Sequence, residues 1–140
     1  TREFRFSLRP HPCLNLTKLK KVCDNISFLD YEFNEGELLS AFDDHMFLIG
    51  NTSSTLVEGL LCGLYVIVAP SQNRLTQNPI QNNFLKESWT IGYDIQECIA
   101  KMRNTYLNDH RTTISSRNIT DMISPVNKTT LDLFIREIKG

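Results

Sequence analysis

A chain of 140 residues with a formal net charge of −1 and 41% hydrophobic residues fits one domain of ordinary size, able to bury about 68% of the surface its unfolded form exposes. With charge near zero and the two signs interspersed, composition speaks against a nucleic-acid groove or an anionic membrane surface as partner, so binding is expected from a local site. No apolar run approaches the length of a bilayer span, and no transmembrane segment is expected.

Along the chain, Phe4 to Leu8 reads as a short buried strand that stops at Pro10 and Pro12, leaving the loop Arg9-Pro-His-Pro12. Leu14 to Val22 carries Leu16, Leu19 and Val22 at helical spacing with lysines between them. Ile26 to Leu29 reads as a second strand. Asn34 followed by Glu37 has the cap residue and the acid three positions later that open a helix, with Leu38, Leu39, Ala41 and Phe42 on its apolar side. The third strand is expected at Met46 to Ile49. The turn Gly50 to Thr55 then brings four hydroxyls to the start of a helix that closes at Gly63. Tyr65 to Ala69 is continuously apolar, as in a parallel strand covered on both faces.

Ser71 to Asn83 is polar and reads as a long loop. Trp89 to Ile91 forms a fifth strand and Asp94 to Leu107 a helix. The tail suggests a helix from Thr112 to Met122, a break at Pro125, and a last helix from Thr130 with Leu131, Phe134, Ile135 and Ile138 on one stripe. Strict alternation of strand and helix predicts an α/β fold: an open doubly wound parallel sheet (Rossmann-like) of about five strands with helices on both faces, in a single domain spanning 1–140. Ligands of such sheets bind outside the carboxyl ends of the strands, so the His11 and Ser53 loops are expected to converge on one edge.

Cys13, Cys23, Cys62 and Cys98 show no C-x-x-C pairing and read as reduced core thiols. N-x-S/T sequons begin at Asn15, Asn25, Asn51, Asn118 and Asn127, yet Asn, Ser and Thr are abundant throughout and no signal peptide is visible, so a cytoplasmic chain is expected. Because it opens on Thr1, it is expected to be a piece of a longer polypeptide.

Helix N-termini present unpaired N–H groups to anions, which makes Asn51, Ser53, Ser54 and Thr55 candidates for holding a phosphate. The same hydroxyls also cap helices with no ligand present, and Thr55-Leu-Val-Glu58 has the form of a capping box. Glu58 is open to two roles, box acceptor or acceptor for ribose hydroxyls. His11, fixed between two prolines, is suited to donate a hydrogen bond or positive charge to a phosphate oxygen; the alternative is a histidine satisfied by a backbone carbonyl. Arg9 and Arg74 are candidate phosphate clamps, and Gly59 and Gly63 serve close packing and helix termination. His45 and His110 lack companions at metal spacing, and no zinc or paired-carboxylate site is expected. Neither G-x-G-x-x-G, a Walker loop nor a nucleophile elbow is present.

Taken together, the Arg9-Pro10-His11-Pro12 loop at one strand end, and Ser53-Ser54-Thr55 with Glu58 and Gly63 at a later one, resemble the carboxyl-terminal half of GT-B-type bacterial glycosyltransferases with an HP and a paired-serine motif. Such enzymes include sialyltransferases, polysialyltransferases and transferases of 3-deoxy-octulosonic acid that build capsule and lipopolysaccharide. The resemblance spans Phe4 to Pro70. It implies a donor nucleotide-sugar-binding domain, most often for a CMP-activated sugar, with no further cofactor. His11 is implied as the catalytic residue at the donor phosphate; Ser53 and Ser54 hold that phosphate, and Glu58 meets the ribose. A glycan or lipid-linked acceptor would be reached through a missing domain that also supplies the base, with residues 123–140 packing on it. The fragment alone is therefore expected to be inactive, and the whole protein to be cytoplasmic or peripheral at the inner membrane. Two other readings stand beside this one: a sugar-nucleotide 2-epimerase-like domain, which usually has Ser-Gly-Gly where this chain has Ser-Ser-Thr, and a non-catalytic α/β binding domain.

Overall fold

Parallel strands cannot be joined by a tight hairpin, so each pair needs a crossover connection, and the alternation of short apolar runs with helical segments supplies it. The computed structural model describes residues 4–27, 29–71, 73, 77–80 and 84–107. It is an α/β structure with parallel strands in two small sheets. The chain divides into two compact units, Thr1–Asp44 and His45–Gly140.

In the first unit, β1 (Arg5–Leu8) leads through α1 (Leu16–Asp24) to β2 (Asp30–Phe33), which pairs parallel with β1 in the register Arg5 to Asp30 and Leu8 to Phe33; α2 (Leu38–Asp43) follows. The second strand lies beyond the expected Ile26–Leu29. After the Asn25 cap, Ile26 N–H donates to Cys23 O and Leu29 N–H to Ile26 O, so the apolar run is spent on turns that bring the chain out of α1. Asn15 caps α1, accepting from Lys18 N–H at 3.1 Å. The buried residue of this helix is Cys23, whereas Val22 is 58% exposed, because Cys23 and not Val22 stands four residues after Leu19 on the same face. The cap of α2 is Glu37 and not Asn34, whose side chain instead accepts from Gly36 N–H at 2.9 Å in a local turn.

Charge is segregated in this unit rather than interspersed. Arg5, Arg9, Lys18, Lys20 and Lys21 lie in its first half, while Asp30, Glu32, Glu35, Glu37, Asp43 and Asp44 follow with no basic residue among them. The exposed pair Arg5–Glu32 at 2.5 Å bridges the two halves across β1 and β2. Tyr31 donates to Asp24 at 2.5 Å, and that hydrogen bond pushes its phenol up to about 12.

In the second unit, β3 (Phe47–Gly50), α3 (Thr55–Leu61), β4 (Tyr65–Val68), β5 (Trp89–Ile91) and α4 (Ile95–Leu107) follow in order. Strand β4 is central, pairing parallel with β3 and with β5, and Val66, Ile67 and Val68 are buried. Leu56 and Leu60 of α3 join Val66, Val68 and Ile80 in one core. Ile80 comes from the segment expected to be a polar loop; it is 2% exposed, and its N–H donates to Asn78 Oδ1. Helix α3 ends in a Schellman arrangement: Gly63 has φ 89°, its N–H reaches Leu60 O, and Leu64 N–H reaches Gly59 O. Contrary to expectation, only Cys23 and Cys98 are buried; Cys13 in a loop and Cys62 at the end of α3 are exposed. Burial pushes the Cys98 thiol up.

At the start of α4, Asp94 Oδ1 accepts from Glu97 N–H and Glu97 Oε2 accepts from Tyr93 N–H, both at 2.8 Å. Lys101 pairs with Glu97 and also donates to Thr90 Oγ1 and Ile91 O, which ties the helix to β5. The tail helices expected after residue 107 lie outside the described residues, as does the 123–140 segment.

A Cβ at Gly59 would stand 2.3 Å from Leu48 Cδ2, so the bare position lets α3 seat on β3 with Leu48 undisturbed. Gly59→Ala is expected to destabilise by about 1–3 kcal/mol through overpacking, read as a lower urea midpoint with unchanged m-value; a wild-type midpoint would show that Leu48 gives way freely. The Lys101 ammonium first, and then the Tyr93 N–H, hold the Glu97 carboxyl below its ordinary value. A depressed carboxylate contributes stability that is complete above the unfolded value and lost as pH falls through the folded one. The melting temperature should therefore drop on acidification below about pH 4.3, and Glu97→Gln should remove that part of the drop.

Candidate functional site

The His11 loop begins where β1 ends. Pro12 occupies the second position of a turn in which Leu14 N–H donates to His11 O at 2.8 Å, and the ring of His11 turns back so that Nδ1 accepts from Cys13 N–H at 3.2 Å. An imidazole that accepts at Nδ1 carries its proton at Nε2 when neutral, so the outward nitrogen is a donor. His11 is exposed, and its partner is a backbone N–H and not a backbone carbonyl.

Arg9 is exposed, and its guanidinium donates to Gly36 O at 2.5 Å. Asn34 N–H donates to Leu8 O at 2.9 Å. The loops that follow β1 and β2 thus share the carboxyl edge of the first sheet and are tied together. Asn34 and Gly36 join the His11 loop through these bonds, and the N-x-G spacing, which favours an Asx turn, is the feature of the sequence that marks them.

In the second unit the expected hydroxyl turn lies at the carboxyl end of β3. Gly50 is the last residue of the strand, and a Cβ there would lie 2.8 Å from Leu56 Cδ2. Asn51, Thr52, Ser53 and Ser54 then lead into α3. Ser54 stands at the cap position with helical backbone angles, and no side chain caps there. Ser53 does the capping one residue earlier: its Oγ accepts from Thr55 N–H at 3.2 Å and its carbonyl from Leu56 N–H at 3.1 Å. The Thr55–Glu58 box is accordingly absent, since Thr55 is already helical and its N–H is taken by Ser53. The carboxylate of Glu58, exposed, has no partner among the described residues.

Three features of this turn bear on binding. Among the described residues the N–H groups of Thr52, Ser53 and Ser54 have no acceptor. The hydroxyls of Ser54 and Thr55 are likewise unengaged, and Ser54 is exposed. The Oδ1 of Asn51 is buried without a hydrogen-bond partner. Asn51 as a residue is half-buried, and a buried carboxamide oxygen left idle is costly; rotation about the last torsion of the side chain exchanges that acceptor for two donors. With seven residues α3 supplies little macrodipole, so the free amides and hydroxyls dominate what an anion would meet.

The structure therefore gathers Asn51, Ser53, Ser54 and Thr55 at one strand end, with Glu58 a turn further on, and gathers Arg9 and His11 at the carboxyl edge of the other sheet. Arg74 and His110 lie outside the described residues. Among the described residues no group of three His, Cys, Asp or Glu side chains is placed to hold a metal ion, and no helix is long and apolar enough to cross a membrane. No family model matches the chain, and neither does any curated protein or solved structure.

Because Asn51 Oδ1 is buried without a hydrogen-bond partner, Asn51→Ala is expected to leave the ligand-free chain at least as stable as the wild type and to raise its unfolding free energy by up to about 1–3 kcal/mol. A loss above about 1.5 kcal/mol in urea denaturation would mean that the amide is bonded in the folded chain.

Proposed function

We propose that this chain is the donor-binding domain of a glycosyltransferase that builds bacterial surface polysaccharide or lipopolysaccharide, and that its donor is a nucleotide-activated sugar, CMP-linked in the first instance. The observation that carries the reading is the turn after β3, where N–H groups and hydroxyls unengaged among the described residues adjoin in sequence the idle, buried Asn51 Oδ1. In parallel α/β sheets such strand-end loops are where phosphate-bearing ligands sit. The His11 ring, with Nδ1 occupied, adds an outward Nε2 donor at the carboxyl end of β1.

In this reading the finer architecture is an open doubly wound parallel sheet with helices on both faces, and the donor phosphate sits at a strand-end loop. Ser53 and Ser54 hold the phosphate at the turn after β3, Asn51 and Thr55 flank it, and Glu58 accepts from the ribose hydroxyls; His11, at the end of β1, is suited to donate to a phosphate oxygen. As an acceptor hydroxyl attacks the anomeric carbon, the bond to the nucleotide breaks and the departing phosphate gains negative charge, which these donors stabilise. The base that takes the acceptor proton comes from a second domain, and the acceptor is a glycan or lipid-linked sugar bound there.

A non-catalytic α/β domain is favoured by one specific observation, the Ser53 Oγ bond to Thr55 N–H, since capping alone produces it. Calorimetric titration with CMP, UDP and their sugar conjugates separates the two. Binding of CMP that weakens by about tenfold or more in both His11→Ala and Ser54→Ala, with circular dichroism unchanged, is the expected result. Absence of binding by any of these nucleotides, or binding indifferent to both substitutions, would overturn the proposal in favour of the non-catalytic domain.

A further inference from the structure

Arg9 is two residues from His11 and carries a permanent charge, which makes direct contact with a ligand phosphate its obvious role. Its position argues otherwise. The last ladder bond between the strand ends of the first unit is Asn34 N–H to Leu8 O, and beyond it the only side-chain tie among the described residues of the two loops is the Arg9 guanidinium on Gly36 O at 2.5 Å. Gly36 is itself fixed, because its N–H donates to Asn34 Oδ1 at 2.9 Å. The acceptor that Arg9 grips is thus part of a closed turn and not a loose strand of loop.

On the other side, Pro10 follows Arg9 with a fixed φ, and the His11 turn is closed by Leu14 N–H to His11 O and by Cys13 N–H to Nδ1. The His11 turn and the Asn34–Gly36 turn are each internally rigid. What is left soft is the short link from Leu8 to His11, and Arg9 pins that link. From this geometry we infer that Arg9 is a positioning residue: it latches the His11 loop to the loop after β2 so that Nε2 is presented at a set place, and it does not itself hold the ligand. The inference rests on the proposed role of His11 in binding a nucleotide phosphate.

A residue that acts only through another has no effect once that other is gone, so a double-mutant cycle decides the matter. Titration of CMP into the full chain is expected to show affinity about tenfold weaker in Arg9→Ala, the usual scale for losing a hydrogen bond from a charged group. In the His11→Ala background, Arg9→Ala should then cause no further loss, and the salt dependence of CMP binding should be the same in Arg9→Ala as in the wild type. If the Arg9→Ala penalty persists in full without His11, or if Arg9→Ala flattens the salt dependence, Arg9 touches the phosphate and the inference falls while the binding proposal stands. Unchanged affinity in Arg9→Ala also overturns it. If the wild-type chain binds no nucleotide, the functional reading fails first and this inference fails with it.

Discussion

The contact on which the second unit depends is that of α3 on β3, where two glycines let a helix and a strand meet more closely than side chains allow. A Cβ at Gly59 would collide with Leu48, and one at Gly50 would collide with Leu56. With both positions bare, Leu56 and Leu60 reach Val66 and Val68 of the central strand and close the core. The Schellman end at Gly63 then returns the chain directly into β4. The turn between β3 and α3 is consequently over-determined from both sides: its start is the last residue of a paired strand and its end is a helix already seated. A binding turn gains from such support, since donors held in place lose little entropy when a ligand arrives.

The sequence was most legible where one physical cause dominated. The run Tyr65 to Val68 is apolar without interruption because β4 is central, and Gly63 ends α3 because φ 89° suits glycine alone. It was least legible where several residues met the same need. Ser53, Ser54 and Thr55 are all good caps, so composition cannot choose among them, and the helix begins one residue away from the expected box. The second strand lies beyond its expected place for a related reason. Apolarity drew attention to Ile26–Leu29, but β2 belongs to a two-stranded, half-exposed sheet and alternates Asp30, Tyr31, Glu32 and Phe33, a pattern that charge partly conceals. The segregation of charge between the two halves of the first unit, invisible in a net value, makes Arg5–Glu32 a natural cross-strand pair.

The candidate site was legible as residue types and not as roles. Strand-end loops and hydroxyl clusters follow from pattern, whereas hydrogen-bond allocation does not. Only coordinates assign Ser53 to capping, leave Ser54 and Asn51 Oδ1 idle, and give Arg9 a carbonyl partner. That allocation separates two kinds of group. Those whose bonds are made within the fold, Ser53 Oγ, His11 Nδ1 and Arg9, set geometry. Those left unmade among the described residues, Ser54, Asn51 Oδ1 and His11 Nε2, are open to a ligand, and the buried Asn51 Oδ1 has the most to gain because water does not satisfy it.

The unmade groups of the turn after β3 are neutral among the described residues: amides, hydroxyls and a carboxamide oxygen. Neutral donors bind a phosphate by direction more than by charge, and their hydrogen bonds strengthen as negative charge grows on the oxygens they face. In the transfer proposed, the charge on the departing nucleotide rises as the anomeric bond lengthens, so an array of this kind favours the transition state over the bound donor, which is the condition for catalysis and not merely for capture. A cluster of fixed cations would grip donor and product alike and slow release. The assignment of Arg9 to the loop latch fits this logic, because it leaves His11, and not a fixed guanidinium, to meet a phosphate at the end of β1.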